Sequence, residues 1–308
     1  MNPAPNLISP EEIEELSSRT EWAEMKGGRR VAYYQYGARD GIPTFFCHGS
    51  GSHVHATLLH AAAGKFGYRL IVPDRPGIGL SDFDPKRTIL DSADDIARLA
   101  DHLGIDQFGV IGLSGGGYTL FACAHLFPTR LKFALSLACG TPLFSDPAAV
   151  RELGLVDQVF AKLGQWTPLT FFQIPFALLR RQMKKAESFA RMFNSSMCPA
   201  DAELFQNPTL QFMFLRDWQE LFKQGAKEAA LDAQLGYHPW GFDLRDIHCH
   251  VDVRHGTEDR WVPLSFSTYL EKIIPDVTLQ LLPGQGHFCH LVYPEETFKM
   301  LAQGSAHS

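Results

Sequence analysis

Cysteine is scarce and unpatterned in this chain. Its six cysteines, at positions 47, 123, 139, 198, 249 and 289 of 308, have no C-x-x-C spacing. That speaks against a disulfide framework and a thiolate metal site. Most lie in apolar stretches, where a free thiol serves as a small hydrophobe. Reduced thiols suit the cytoplasm, which is the expected compartment. Long apolar runs are missing too: no stretch reaches roughly 18 residues, so no membrane span is expected. The opening Met1-Asn-Pro-Ala-Pro-Asn6 lacks a basic segment followed by an apolar one, so no signal peptide is expected. Basic clusters are absent, and the net charge of −6 and pI near 6.1 weigh against nucleic acid and anionic membranes as partners. There is no internal repeat and no low-complexity tract. What remains is 45% hydrophobic and 20% charged, enough to bury a large globular core.

Glycine, by contrast, is concentrated in one place. Gly112-Leu113-Ser114-Gly115-Gly116-Gly117 follows the apolar run Phe108-Gly-Val-Ile-Gly-Leu113 and precedes the helix-compatible run Tyr118–Phe127. Strand, sharp turn, helix, with serine at the apex, fits the G-x-S-x-G nucleophile elbow. Side chains at 112 and 116 would collide with the neighbouring strand and helix, and the strained turn exposes the Ser114 hydroxyl.

The rest of the chain alternates strand and helix. Residues 1–10 read as a loose, proline-rich arm, and Pro10–Leu16 as a short acidic helix. Strands are expected at 29–36, 44–47, 68–72, 108–113 and 131–138. Helices are expected at 54–65 and 118–127. Another runs from Asp91, where Ile96, Leu99, Ala100 and Leu103 keep helical spacing up to Gly104. From 141 to 245 helical segments rich in Phe, Leu and Met take over, broken by prolines. Strands return at 250–255 and 277–282, with helices at 263–274 and about 294–303. Near-continuous apolar strands separated by helices predict an α/β fold, a doubly wound and mostly parallel sheet with an inserted helical cap. The division expected is an arm and short helix over 1–18, a core of 19–140 and 246–308, and a cap of 141–245. Loops 48–52, 73–81 and 112–117 leave the carboxyl ends of strands, where such sheets bind ligands.

A serine hydroxyl needs a base, and the base an orienting carboxylate. Candidates follow in the order acid, then histidine. Gly256-Thr-Glu-Asp-Arg-Trp-Val-Pro263 offers Asp259, with Glu258 as a rival, and Gly286-His287 offers His287, with His290 as a rival. Ser114, Asp259, His287 is the chain order of one known triad type. His48-Gly49, Asp74-Arg-Pro-Gly-x-Gly-x-Ser81, the elbow, Gly256-x-x-Asp259 followed by Val262-Pro263, and Gly286-His287 together make the sequence resemble an α/β-hydrolase-fold enzyme over nearly its whole length. The resemblance favours Asp259 and His287 over their rivals. It implies an oxyanion hole made by the backbone N–H groups of Ser50 and Gly115, and pocket positions at His48, Gly49 and Leu113.

Other polar residues draw plainer readings. His53 and His55 follow the oxyanion loop and are read first as helix-start residues, with pocket lining as the alternative, and Asp74-Arg75 as an ion pair internal to its loop. His248, Cys249, His250 and His255 lack a second matched pair, so no metal is expected. The cap aromatics are mainly cap core.

The resemblance implies a serine hydrolase acting through an acyl-enzyme on an ester, or a related acyl bond, of a small or medium molecule with an apolar portion. No cofactor is needed for that chemistry. The same triad serves carbon–carbon bond hydrolases and cofactor-free perhydrolases, and the fold also hosts non-enzymatic ligand-binding proteins. Neither the acyl group nor the oligomeric state is readable from the sequence.

Overall fold

A computed structural model describes residues 7–143, 147–183 and 186–304. The first six residues of the expected arm, positions 144–146 and 184–185 of the expected cap, and 305–308 lie outside the described residues. The elements run α1 (Pro10–Ser17), β1 (Glu21–Glu24), β2 (Arg30–Gly37), β3 (Ile42–Cys47), α2 (His60–Lys65), β4 (Tyr68–Pro73), α3 (Ile89–His102), β5 (Phe108–Leu113), α4 (Gly117–Leu126) and β6 (Leu131–Leu137). Seven helices follow: α5 (Pro147–Glu152), α6 (Leu155–Trp166), α7 (Leu169–Gln182), α8 (Ala186–Asn194), α9 (Pro199–Leu204), α10 (Pro208–Leu221) and α11 (Ala226–Tyr237). The chain closes with β7 (Val251–Gly256), α12 (Leu264–Ile273), β8 (Val277–Leu282), α13 (Cys289–Val292) and α14 (Pro294–Gly304).

Among the described residues eight strands form one sheet in the order β1-β2-β4-β3-β5-β6-β7-β8. Pairing is parallel from β4 to β8 across the sheet, while β2 runs antiparallel to both β1 and β4. Successive residues of a strand point to opposite faces, and the two cores follow that alternation. Phe46, Leu70, Val72 and Ile111 enter one core with Ile13 of α1, Ala62 of α2 and Phe298 of α14. Phe45, Ile71, Phe108 and Val110 enter the other with Ile96 of α3, Leu120 of α4 and Leu270 of α12. Each such large side chain contributes about 1.5–3 kcal/mol when fully buried, so covering both faces accounts for the near-continuous apolar strands.

Three local differences from expectation have physical reasons. The antiparallel strand β1 has only four residues, one of them buried, too short a pattern to read. The expected helix over 54–65 is a wholly buried 3-10 stretch, His53–Leu59, with Val54 N–H capped by the Ser52 hydroxyl, which runs into α2. The short helix α13 sits between the last loop and α14, where the sequence shows no periodicity.

Candidate active site

Strand β5 delivers the chain to Ser114, whose φ of 51° lies in the left-handed region. For a residue with a Cβ that conformation costs roughly 1–2 kcal/mol, and α4 begins three residues later and holds it. Gly116 is required sterically: a Cβ there would lie inside the Cys47 carbonyl at the end of β3. The loop after β3 therefore abuts the turn, and a Cβ on Gly49 would stand 3.1 Å from that of Ser114.

Asp259 and His287 are brought together from the loops after β7 and β8. Asp259 Oδ1 accepts the Trp261 and Val262 N–H groups at 2.8 and 3.0 Å. Its Oδ2 accepts His287 Nδ1–H at 2.7 Å. The carboxylate is fully buried. Burial would raise its pKa, but His287 and the hydrogen bonds from His255 and His287 hold it well below the usual range. Burial likewise pulls the His287 pKa down, and the adjoining Asp259 carboxylate more than offsets this and leaves it above the ordinary histidine value. With Nδ1 donating to Asp259, Nε2 is the free acceptor nitrogen, an assignment that follows from the hydrogen-bond partner.

Ser114, His287, Gly49, Ser50 and Leu113 all line one cavity of about 610 Å³. Ser114, Ser50 and Gly115 also border a second of about 160 Å³ beside Thr141. Among the described residues the Ser114 hydroxyl makes no hydrogen bond to His287. Catalytic hydrogen bonds are often long before substrate binds. The Ser50 and Gly115 N–H groups have no acceptor among the described residues. A Cβ on Gly115 would stand 3.7 Å from Ser50 N, so the two donors flank one space.

Several expectations need correction. His48 is fully buried and lines neither cavity; its Nδ1 faces the Gly49 carbonyl at 3.1 Å, and burial, then Arg75, lowers its pKa to about 3. Asp74 and Arg75 do not pair with each other. Asp74 takes His53 N–H and Nδ1 at 3.0 and 2.8 Å, while Arg75 donates to Asp232 of α11. The Arg75 guanidinium reaches away from its own loop to the Asp232 carboxylate on α11, and the Asp74 carboxylate lies beside His53 instead. His53 thus stacks on Tyr34 rather than merely starting a helix. His55 lines the large cavity, with its Nε2 2.8 Å from that of His290. Glu258 and His290 are not the residues that pair. His250 faces Asp276, and His255 turns inward to Ser267 and Asp259. Among the described residues no group of three metal-ligating side chains converges.

Sequence reading missed four residues that the geometry brings to the site. His255 backs Asp259. Asp201, Asp217 and Asp232 reach the site loops from α9, α10 and α11. Asp217 carried a signal, since it shares the buried face of Leu210, Phe214 and Leu221 at helical spacing.

Comparison with known proteins bears on the family and the fold. A model described as the alpha/beta hydrolase family matches residues 45–300. The chain belongs to that family. It is 26% identical over 253 residues to the 2-hydroxy-6-oxo-6-phenylhexa-2,4-dienoate hydrolase of Burkholderia cepacia, covering 77% of this chain and 78% of the relative. It is also 26% identical over 280 residues to the non-heme chloroperoxidase of Streptomyces lividans, covering 87% and 93%. Among solved structures, an esterase from Exiguobacterium antarcticum superposes with a TM-score of 0.67 at 16% identity, covering 92% of this chain and 98% of that one. At that identity the likeness speaks for the fold alone. Among the described residues no helix is long and apolar enough to cross a membrane.

Proposed function

We propose that this family member is a serine hydrolase that cleaves an ester of a small to medium molecule with an apolar portion, through an acyl-enzyme on Ser114. The observation that carries the reading is the buried Asp259–His287 pair at 2.7 Å, opening on the same cavity as a serine held at positive φ. His287 Nε2 takes the Ser114 proton as Oγ attacks the carbonyl carbon. The oxyanion that forms is held by the N–H groups of Ser50 and Gly115, each such donor contributing roughly 2.7–4 kcal/mol to the transition state. The imidazolium, stabilised by Asp259, returns its proton to the leaving alcohol. Water, deprotonated by the same nitrogen, then releases the acid.

Substrate shape follows from the walls. Phe160, Leu179, Phe193, Phe214 and Trp218 border the large cavity, which suits the apolar portion. Helices α5–α11 act as a cap over 141–245 and set this selectivity. Five of the six thiols are buried and all are unpaired, in keeping with the cytoplasm.

Carbon–carbon bond hydrolysis by the same residues is the second reading, favoured by the activity for which the Burkholderia relative is named. Turnover of a p-nitrophenyl ester series and of a vinylogous diketone, each beside Ser114→Ala, tests both. Ester turnover lost in the variant supports the first reading, and diketone cleavage without ester turnover supports the second. Turnover of neither by folded protein contradicts both.

A further inference from the structure

Three consecutive helices of the segment between β6 and β7 each send one aspartate into the site loops. Asp201 of α9 accepts His287 N–H at 2.8 Å and Phe288 N–H at 3.1 Å, one on each oxygen. Asp217 of α10 accepts Ser52 N–H and Ser52 Oγ–H, at 2.7 and 2.8 Å, both on Oδ1. Asp232 of α11 accepts Arg75 Nε–H and Nη2–H at 2.8 and 2.7 Å, and Arg87 as well. Arg75 passes the contact on, since Nη2 also donates to the Gly49 carbonyl at 2.8 Å and Nη1 to that of His48.

The Gly49 carbonyl and the Ser50 N–H belong to one planar peptide unit. Fixing that oxygen fixes the direction of the N–H on the other side. Ser52, two residues on, is fixed by Asp217, and the Gly51 N–H closes the turn on Gly49 O at 2.9 Å. A Cβ at Gly51 would lie inside the Asp217 carboxyl, so the loop has space for glycine only. The His287 peptide is fixed in the same manner by Asp201.

All three carboxyls are buried, at 4%, 3% and 4% exposure. Burial of a carboxylate is costly, and an apolar residue of similar size commonly stabilises such a position better. Asp232 has two arginines to offset that cost. Asp201 and Asp217 have main-chain donors and one hydroxyl. Burial raises the Asp217 pKa to about 7 against the pull of its Ser52 bonds, and burial raises that of Asp201 also. Packing alone gives no reason for carboxyls at these three positions, whereas aiming the loops does.

We infer that Asp201, Asp217 and Asp232 are positioning residues for the hydrolytic step, Asp201 aiming the His287 loop and Asp217 and Asp232 aiming the Ser50 N–H. Helices α9–α11 are then a fixed wall of the catalytic frame rather than a lid that leaves it. This rests on the Ser114 reading above.

The test measures kcat, KM and the Ki of an alkyl boronic acid, which forms a tetrahedral anion on a serine. Variants are Asp217→Ala, Asp217→Asn and Asp201→Ala, with rates normalised to the Ser114 sites titrated by a fluorophosphonate. Normalisation removes any loss from misfolding. Asp217→Ala and Asp201→Ala are expected to lower kcat per titrated site about 10- to 100-fold, short of losing a donor outright. KM is expected to change little, and the boronate Ki to rise in step with the kcat loss in Asp217→Ala. Asp217→Asn keeps an acceptor for both Ser52 donors and is expected to restore most of kcat. Unchanged kcat per titrated site in both alanine variants, with the wild type labelling normally, overturns the positioning role alone. A wild type that neither labels nor turns over esters overturns the Ser114 reading on which it stands.

Discussion

His255 Nε2 lies 3.2 Å from Asp259 Oδ2, the oxygen that also receives His287 Nδ1–H. The same nitrogen is 3.0 Å from the Val262 carbonyl, and Nδ1 faces the Ser267 hydroxyl. Ser267 O–H donating to Nδ1 leaves Nε2–H to be shared between the Val262 carbonyl and the Asp259 carboxylate. The carboxylate is thereby held from behind by a buried ring on β7 as well as by two main-chain N–H groups. Replacing His255 by Ala removes one of these supports while leaving Asp259, His287 and Ser114 in place. The expected loss in kcat/KM is about tenfold, the scale of a slightly misaimed base, measured by steady-state kinetics on a p-nitrophenyl ester.

The Asp259–His287 pair also sets a pH dependence. The pKa of His287 is raised above its usual value, and only the neutral ring can accept the Ser114 proton. The rate therefore rises as pH increases through that pKa, with a half-point above about 6.5, the unperturbed histidine value. In Asp259→Asn the carboxylate that raises it is gone and burial remains, so the half-point moves down. The maximal rate is expected to fall roughly 10⁴-fold with it, as the ring loses its orienting partner. A kcat/KM profile from pH 5 to 9 on both proteins reads the two effects together.

Asp217 links the site to stability. Its pKa in the folded protein is raised to about 7, whereas an unfolded aspartate titrates near about 3.9. The folded state binds the proton more tightly, so stability drops as pH rises from about 4 through about 7 and is level above that. Asp217→Asn has no proton to lose. The variant's Tm relative to the wild type is expected to increase between pH 5 and pH 8.

The wall of the large cavity makes a size prediction. Leu179 of α7 borders the cavity together with Phe160, Phe193 and Phe214. Leu179→Trp fills space there without touching Ser114 or His287. Hydrolysis of hexanoyl and octanoyl esters is expected to fall by about tenfold, the worth of one or two methylenes of apolar contact. Acetyl ester turnover stays near the wild-type rate. A p-nitrophenyl ester series distinguishes this from general damage, which would slow every member equally.

Much of this architecture is legible in the chain because local patterns decide it. The six-residue run of β5 is buried at every position, and its neighbours β3 and β6 are buried over their last four residues, which is how a parallel strand between helices must read. The start of α3 is written in Thr88 and Asp91, which cap each other. Gly116 announces a close backbone approach, and Cys47 supplies it. Long-range pairing is another matter. That Arg75 turns from its neighbour Asp74 to Asp232, or that His255 backs Asp259, depends on which helix and strand meet in space. His48 shows the same limit, since loop position alone does not tell a ring that lines a cavity from one buried under it. Asp201 and Asp232 left no periodic trace, whereas Asp217 stood on an apolar face and could have been noticed.

The central claim is that Ser114 is a nucleophile activated by His287. Its most direct test is intact mass with peptide mapping after exposure to a fluorophosphonate. One adduct on Ser114 is predicted, absent in Ser114→Ala and strongly slowed in His287→Ala. Folded wild-type protein that takes up no adduct, or an adduct that persists in Ser114→Ala, would contradict the account.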